Sequence, residues 1–403
     1  MADMQTATKP APSRPLVTAT YSIILAVSLS HFINDVLQSM LTAIYPILKT
    51  DFALDYWQIG MLTLIFQCTA SLLQPVVGIY TDRHPAPMSL PVGMASSFAG
   101  VLVLAFASSF TMLLIGAALI GIGSSVFHPE ASRVARMASG GKFGAAQSIF
   151  QVGGNAGQAA GPLLAAFIVV PFGRPSVAWF CVLAALGMAV LYRVGLWYRE
   201  YARTKGQTHA DRTLPLPRNR IIMALVILAF LTFSKNAYMA SLSSYYTFYL
   251  IENFGVSTQT SQVMLFLFLG AVAAGTLLGG PIGDRFGTTA VIWFSILGAL
   301  PFTLALPHVG LVGSGILTVI IGFIIASSFP AIVVMAQELL PGRVGMVAGI
   351  FFGLAFGMGG IAAAGLGLAA DAYGIRAVYE ACAWLPALGI LTILLPRRRD
   401  FAR

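Results

Sequence analysis

Only one stretch of this chain is both long and polar: the connection over residues 198–220, which carries Arg199, Arg203, Lys205, Arg212, Arg218 and Arg220 with two prolines and falls close to the midpoint of the 403 residues. On either side of it run apolar segments long enough to cross a bilayer as helices, about 20 residues each. The chain is 58% hydrophobic and 9% charged, where soluble domains carry roughly a quarter charged residues, so lipid is its solvent. In hydrocarbon every backbone polar group must be satisfied internally, which leaves helices or closed barrels. Barrel strands alternate over about ten residues, whereas these runs are continuous. The expectation is an all-α integral membrane protein of twelve transmembrane helices, near residues 20–48, 56–81, 88–109, 111–135, 144–171, 175–198, 221–250, 259–283, 289–307, 309–338, 345–370 and 375–396. About 34 residues per helix and connection leave no room for a separate soluble domain.

Residues through Arg14 are polar and proline-rich, and the apolar run over 16–48 is too long for a signal-peptide core, so it reads as a retained first helix. The net charge of +9 is explained by orientation rather than by nucleic acid. With both termini in the cytoplasm, 19 of the 23 Lys and Arg fall on the cytoplasmic side, leaving Lys49, Arg174 and Arg376 outside and Lys235 within a helix. A multi-pass protein of the cytoplasmic membrane is expected, a monomer in lipid with no nucleic-acid partner. Cys68, Cys181 and Cys382 all lie inside apolar runs and read as packing residues.

The two sides of the polar connection repeat each other. A shift of 201 superposes Gly121, Pro129, Gly141, Lys142, Gly144, Ile149 and Phe150 on Gly322, Pro330, Gly342, Arg343, Gly345, Ile350 and Phe351. A shift of 202 brings Gly78, Asp82 and Arg83 onto Gly280, Asp284 and Arg285, and one of 204 brings His31 onto Lys235. The drift of the offset over six helices implies two pseudo-symmetric six-helix bundles, residues 1–197 and 221–403, joined by a linker over 198–220. Parallel repeats of this kind hold substrate between them near the bilayer midplane.

The loop after the second helix of each half, Gly78-Ile-Tyr-Thr-Asp82-Arg83 and Gly280-Pro-Ile-Gly-Asp284-Arg285-Phe286-Gly287, resembles the Gly-x-x-x-Asp-Arg gating signature of the major facilitator superfamily. His84 and Thr288 begin departures from its usual tail. Gly157-x-x-x-Gly161-Pro162 resembles the core of that family's antiporter signature, with Ala165 and Ala166 in place of the final glycines. The fourth-helix Arg-x-x-x-Gly signature is not met, since Ala117 precedes Gly121. With the stretches over residues 28–35, 124–136 and 337–342, the chain resembles a drug exporter of this superfamily throughout. The resemblance implies the major facilitator fold and, as substrates, phosphonate antibiotics such as fosmidomycin.

Charged side chains near a helix centre cost about 2.5–3.5 kcal/mol on insertion scales, so they are functional candidates. Asp35 and His31 lie one turn apart on one face of the first helix and are assigned to proton coupling. Glu130, three residues before Arg133, reads either as a proton relay or as half of a static salt bridge. Lys235 is mid-membrane on the seventh helix, with Tyr238, Tyr245 and Tyr246 beside it, and these four with His128 are assigned to substrate binding. Gln147, Gln151, Asn155 and Gln158 draw a stripe down one face of the fifth helix that reads equally as interhelical glue or as a substrate path, the latter assigning Gln151 and Asn155 to binding. No metal spacing exists beyond the His31 and Asp35 pair, which has no third ligand in sequence, so neither metal nor cofactor is expected.

Acids and bases spread over both halves do not assemble a nucleophile with its base, so the chain is not expected to be an enzyme. The reading is proton-coupled antiport of a small anionic substrate, with uniport or symport of an endogenous sugar, carboxylate or phosphate ester as the alternative.

Overall fold

The computed structural model describes residues 19–54, 56–204, 214–397 and 400. Among them the chain makes twelve long helical runs, besides a seven-residue helix at Tyr45–Asp51: α1 (Tyr21–Ala43), α2 (56–83), α3 (Ser89–Ala105), α4 (Phe110–Ala138), α5 (143–172), α6 (Arg174–Thr204), α7 (Arg218–Phe254), α8 (Thr258–Phe286), α9 (Thr288–His308), α10 (Leu311–Leu339), α11 (Val344–Tyr373) and α12 (Ile375–Leu394). Ten spans are long and apolar enough to cross a membrane, and α3 is a shorter apolar helix. Residues 205–213 of the expected linker and the polar start of the chain lie outside the described residues.

Helix ends follow local chemistry. Ser109 and Ser257 cap α4 and α8, their hydroxyls accepting the Met112 and Thr260 amides at 3.3 and 3.1 Å. The first helix was expected to run through residue 48, but it ends at Ala43, and a short segment, Tyr45–Asp51, with proline in its first turn follows Ile44. In α10 the helix is interrupted at Ser327, just before Pro330, whose missing amide leaves the Ala326 carbonyl without its usual partner. Single π turns interrupt α2 at Cys68–Leu72 and α5 at Ala165–Val169.

The internal repeat is present in the backbone itself. Gly141 and Gly342 carry φ of +91° and +77°, and Gly173 and Gly374 carry +73° and +83°, each pair 201 residues apart. Only glycine enters that region without strain, so the same sharp turns join equivalent helices in both halves.

The halves meet at the end that carries residues 84–88, 139–142 and 340–343, here called the linker end, and part toward the other. A methyl group placed on Gly349 of α11 would strike the Gln74 backbone of α2, whereas one on Gly357, Gly359 or Gly365 would meet nothing within 4 Å. Gly144 of α5 and Gly280 of α8 form the equivalent close approach on the other side of the bundle.

Candidate functional site

Where the halves diverge they enclose a cavity of about 490 Å3, lined by α5, α7, α8, α10 and α11. Lys235 of α7 faces it, with its Nζ 4.8 Å above the Phe329 ring. Gln151, Asn155 and Gln158 of α5 and Asn236 of α7 supply amides, and no Asp or Glu is among the lining residues. Among the described residues the Lys235 ammonium forms no ion pair. Asn155 donates to the Thr276 hydroxyl at 3.0 Å and so reaches across from one half to the other.

The polar stripe of α5 thus divides into three tasks. Gln147, at the linker end, accepts from Ser132 at 3.0 Å, which in turn accepts from Gln337 of the other half at 3.2 Å. Gln151 and Asn155 line the cavity. Gln158 both lines the cavity and donates to Asp35 Oδ2 at 3.1 Å. The stripe is therefore interhelical glue at Gln147 and cavity lining at Gln151, Asn155 and Gln158.

Asp35 is fully buried in the amino-terminal half. Besides Gln158, its carboxylate accepts from Asn34 at 3.1 Å and Gln38 at 3.0 Å. His31 Nε2 stands 3.6 Å from Oδ2, and His128 Nε2 stands 3.6 Å from Oδ1. The His31 ring stacks on Phe150 with centroids 4.2 Å apart and meets the His128 ring edge-on at 5.1 Å. Gly154 gives the imidazole its room, because a Cβ there would run into the His31 ring. His128, expected to meet substrate, does not line the cavity but belongs with Asp35. It is a third side chain of a group that could hold a metal ion, one that the sequence did not reveal. Its approach is made by packing of α4 on α1, a contact between residues far apart in sequence.

Three tyrosines expected in the substrate path also lie elsewhere. Tyr238 and Tyr246 are buried in the core of the carboxy-terminal half, where Tyr249 stacks on Tyr379 at 4.3 Å. The Tyr246 hydroxyl lies within hydrogen-bond distance of Ser314 and Thr318, at 3.3 and 3.1 Å. Tyr245 donates to the Ala363 carbonyl at 2.6 Å and ties α7 to α11. None of the three lines the cavity. Burial of the Tyr238 and Tyr246 rings in their own half removes them from the path, and half-buried Tyr245 turns its hydroxyl to the Ala363 carbonyl.

Glu130 is paired rather than free. Its Oε1 lies 3.1 Å from Arg133 Nη1, and Arg133 also donates to Asp82 Oδ1 at 2.5 Å and to the Thr81 carbonyl at 2.6 Å. The described contacts of Asp35 do not include Glu130.

The loop signatures form a symmetric pair of contacts between the halves. Asp82 accepts the Gly345 and Met346 amides at the start of α11, at 2.9 and 2.8 Å. Asp284 accepts the Gly144 and Ala145 amides at the start of α5, both at 2.9 Å. Carboxylates at helix N-termini meet free amides and the positive end of the helix dipole. Gly78 and Gly280 allow the approach. Arg83 is exposed, and Arg285 lies over Phe286 at 5.2 Å. Gly157 and Gly161 pack on α1, against the Phe32 carbonyl and Ser39. The Pro162 side chain lies outside the described residues.

The family model of the Major Facilitator Superfamily matches residues 27–364 and 247–401. The chain is 57% identical over 390 residues, 96% of each protein, to the fosmidomycin resistance protein of Escherichia coli (strain K12). It is 43% identical over 383 residues, 94% of each, to an uncharacterized MFS-type transporter, YfnC, of Bacillus subtilis (strain 168). The crystal structure of the transporter FucP in its outward conformation has the same fold, with a TM-score of 0.73 at 16% identity over 92% of this chain and 97% of that one.

Proposed function

This chain belongs to the major facilitator superfamily, and from that premise we propose that it is a proton-coupled antiporter exporting small anionic drugs, phosphonates such as fosmidomycin among them. It is a multi-pass membrane transporter and not an enzyme. The observation that carries the substrate class is Lys235: a cation inside the membrane, facing the cavity between the halves, amid amide donors and with no lining carboxylate to neutralise it. An anion supplies the missing charge and accepts from the ammonium, Gln151 and Asn155. The name of the relative at 57% identity supports a phosphonate.

Asp35 carries the coupling proton, with His31 and His128 as its neighbours. The proton thus sits inside the amino-terminal half and the substrate in the cavity between the halves, and Gln158, which touches both the cavity and Asp35, links them. Asp82 and Asp284 act as latches that hold the linker end shut while the cavity opens the other way. The working unit is a monomer in the bacterial inner membrane, with the halves over residues 1–197 and 221–403, the linker over 198–220, and both termini in the cytoplasm.

Purified protein reconstituted in lipid vesicles with labelled fosmidomycin tests this reading. An imposed pH gradient should drive the label into the more acidic compartment, against its own gradient. Movement with the protons instead of against them would replace antiport by symport, and movement indifferent to the pH gradient would replace it by uniport.

A further inference from the structure

The two imidazoles beside Asp35 turn the same nitrogen toward it, and each is held there from behind. His31 Nδ1 lies 2.8 Å from the Phe150 carbonyl, and His128 Nδ1 lies 3.0 Å from the Ser124 carbonyl and 3.2 Å from the Ser124 hydroxyl, whose own proton goes to Gln38 Oε1 at 3.1 Å. A carbonyl only accepts, so each Nδ1 carries a proton, and in the neutral ring Nε2 is then a bare lone pair. Both Nε2 atoms are buried without a hydrogen-bond partner among the described residues. Two lone pairs and a carboxylate facing one another repel unless a cation stands between them.

We propose that His31, Asp35 and His128 form a binding site for a divalent transition-metal ion, of which Zn2+ is the best fit. The ligand atoms lie within 4.8 Å of one another, with both N···O separations at 3.6 Å. Bonds of about 2.0–2.2 Å to a tetrahedral ion set its ligands roughly 3.4 Å apart, so small turns of the two rings close the site. A backbone carbonyl on the distal Nδ1–H is the outer contact that orients metal-binding imidazoles. Two imidazoles with one carboxylate suit zinc, cobalt or nickel and not magnesium or calcium. Entry is short, because Gln158, Phe352 and Phe356 line the cavity and touch the cluster from its other side, Gln158 at Asp35 and the two rings at His128 with centroids 5.3 and 5.1 Å away.

The test uses full-length protein in detergent, freed of any affinity tag and treated with chelator. Zn2+ alone should raise the melting temperature saturably, Mg2+ should not, and Co2+ should give the intense visible absorption of a four-coordinate ion. Both responses should be lost in His31→Gln and His128→Gln. Absence of a Zn2+-dependent shift in the wild type would overturn the site and leave protons as the cation between these groups. A shift that persists in both variants would place the ion elsewhere, at His84 or His308 for instance, and equally overturn it. If either variant does not fold, X-ray absorption of the zinc-loaded wild type decides, since fewer than two imidazoles on the metal defeats the assignment. These readouts are of metal binding, so they stand apart from the coupling role proposed for Asp35.

Discussion

Asp82 and Asp284 occupy equivalent places in the two halves, and each spends both carboxylate oxygens on the first turn of a helix in the opposite half, at 2.8–2.9 Å. The exchange is reciprocal: α2 holds the start of α11, and α8 holds the start of α5. Such bonds cross the interface only while the linker end is closed, so they bias the equilibrium between closed and open states; Asp82 also pairs with Arg133 inside its own half, which makes Asp284 the cleaner probe.

Asp284→Ala should therefore favour opening of the linker end. Hydrogen bonds to a charged group contribute about 1.5–3 kcal/mol, which shifts the population ratio on the order of 10- to 100-fold. Spin labels at Lys142 and Arg343, exposed and in opposite halves, should report a longer distance component. An unchanged distance distribution in both Asp284→Ala and Asp82→Ala would remove the latch assignment.

In the Glu130–Arg133–Asp82 group one guanidinium lies between two carboxylates at 3.1 and 2.5 Å, the geometry of a static salt bridge. Removing the cation from a buried pair costs about 3–5 kcal/mol, so Arg133→Met should lower thermal stability severely. Glu130→Gln should cost about 1–3 kcal/mol and leave pH-driven transport in place. A folded Glu130→Gln protein that no longer responds to a pH gradient would restore Glu130 as a proton relay.

For Asp35→Asn the expectation is the reverse, loss of coupling with retention of the fold. Asn keeps one carbonyl oxygen to accept from Asn34 and Gln38 at the Oδ1 position, and its NH2 faces Gln158, whose amide can turn to accept it; it cannot exchange a proton. Accumulation of substrate against its gradient should disappear in vesicles, while counterflow, which moves no net proton, should continue. Continued accumulation would exclude Asp35 as the essential coupling group.

The helices and the repeat are legible in sequence because hydropathy and turn glycines are local properties. Gly141 and Gly342 mark the same turn twice without any knowledge of tertiary contacts. Asp35 and His31 are legible because one turn of helix fixes their common face. His128 is not, since nothing on α4 encodes which helix it packs against. Tyr246 fails for a related reason: periodicity gives a face, but whether that face meets a cavity or Ser314 and Thr318 depends on a neighbour. Gln158 illustrates a third limit, being wide enough to touch the cavity and Asp35 together when a stripe drawn along α5 suggests one role.

Lys235 separates the remaining readings. Its ammonium has the Phe329 ring beneath it and amides around it, the setting from which an anionic substrate is proposed. Replacement by Gln should weaken fosmidomycin binding by on the order of 10- to 100-fold, the equivalent of one charge-assisted bond of about 1.5–3 kcal/mol, and should affect an uncharged analogue far less. Lys235→Arg keeps the charge, as a planar fork in place of a compact ammonium, and it should recover part of the affinity. If the lysine instead neutralised Asp35 across the interface, Lys235→Gln combined with Asp35→Asn would bind the anion as the wild type does. Asp35 already accepts three amide bonds and faces two imidazoles in its own half, so the double variant should bind no better than Lys235→Gln alone. Equilibrium binding to the purified single and double variants measures the difference directly, and full recovery in the double variant would move Lys235 from the anion site to charge balance.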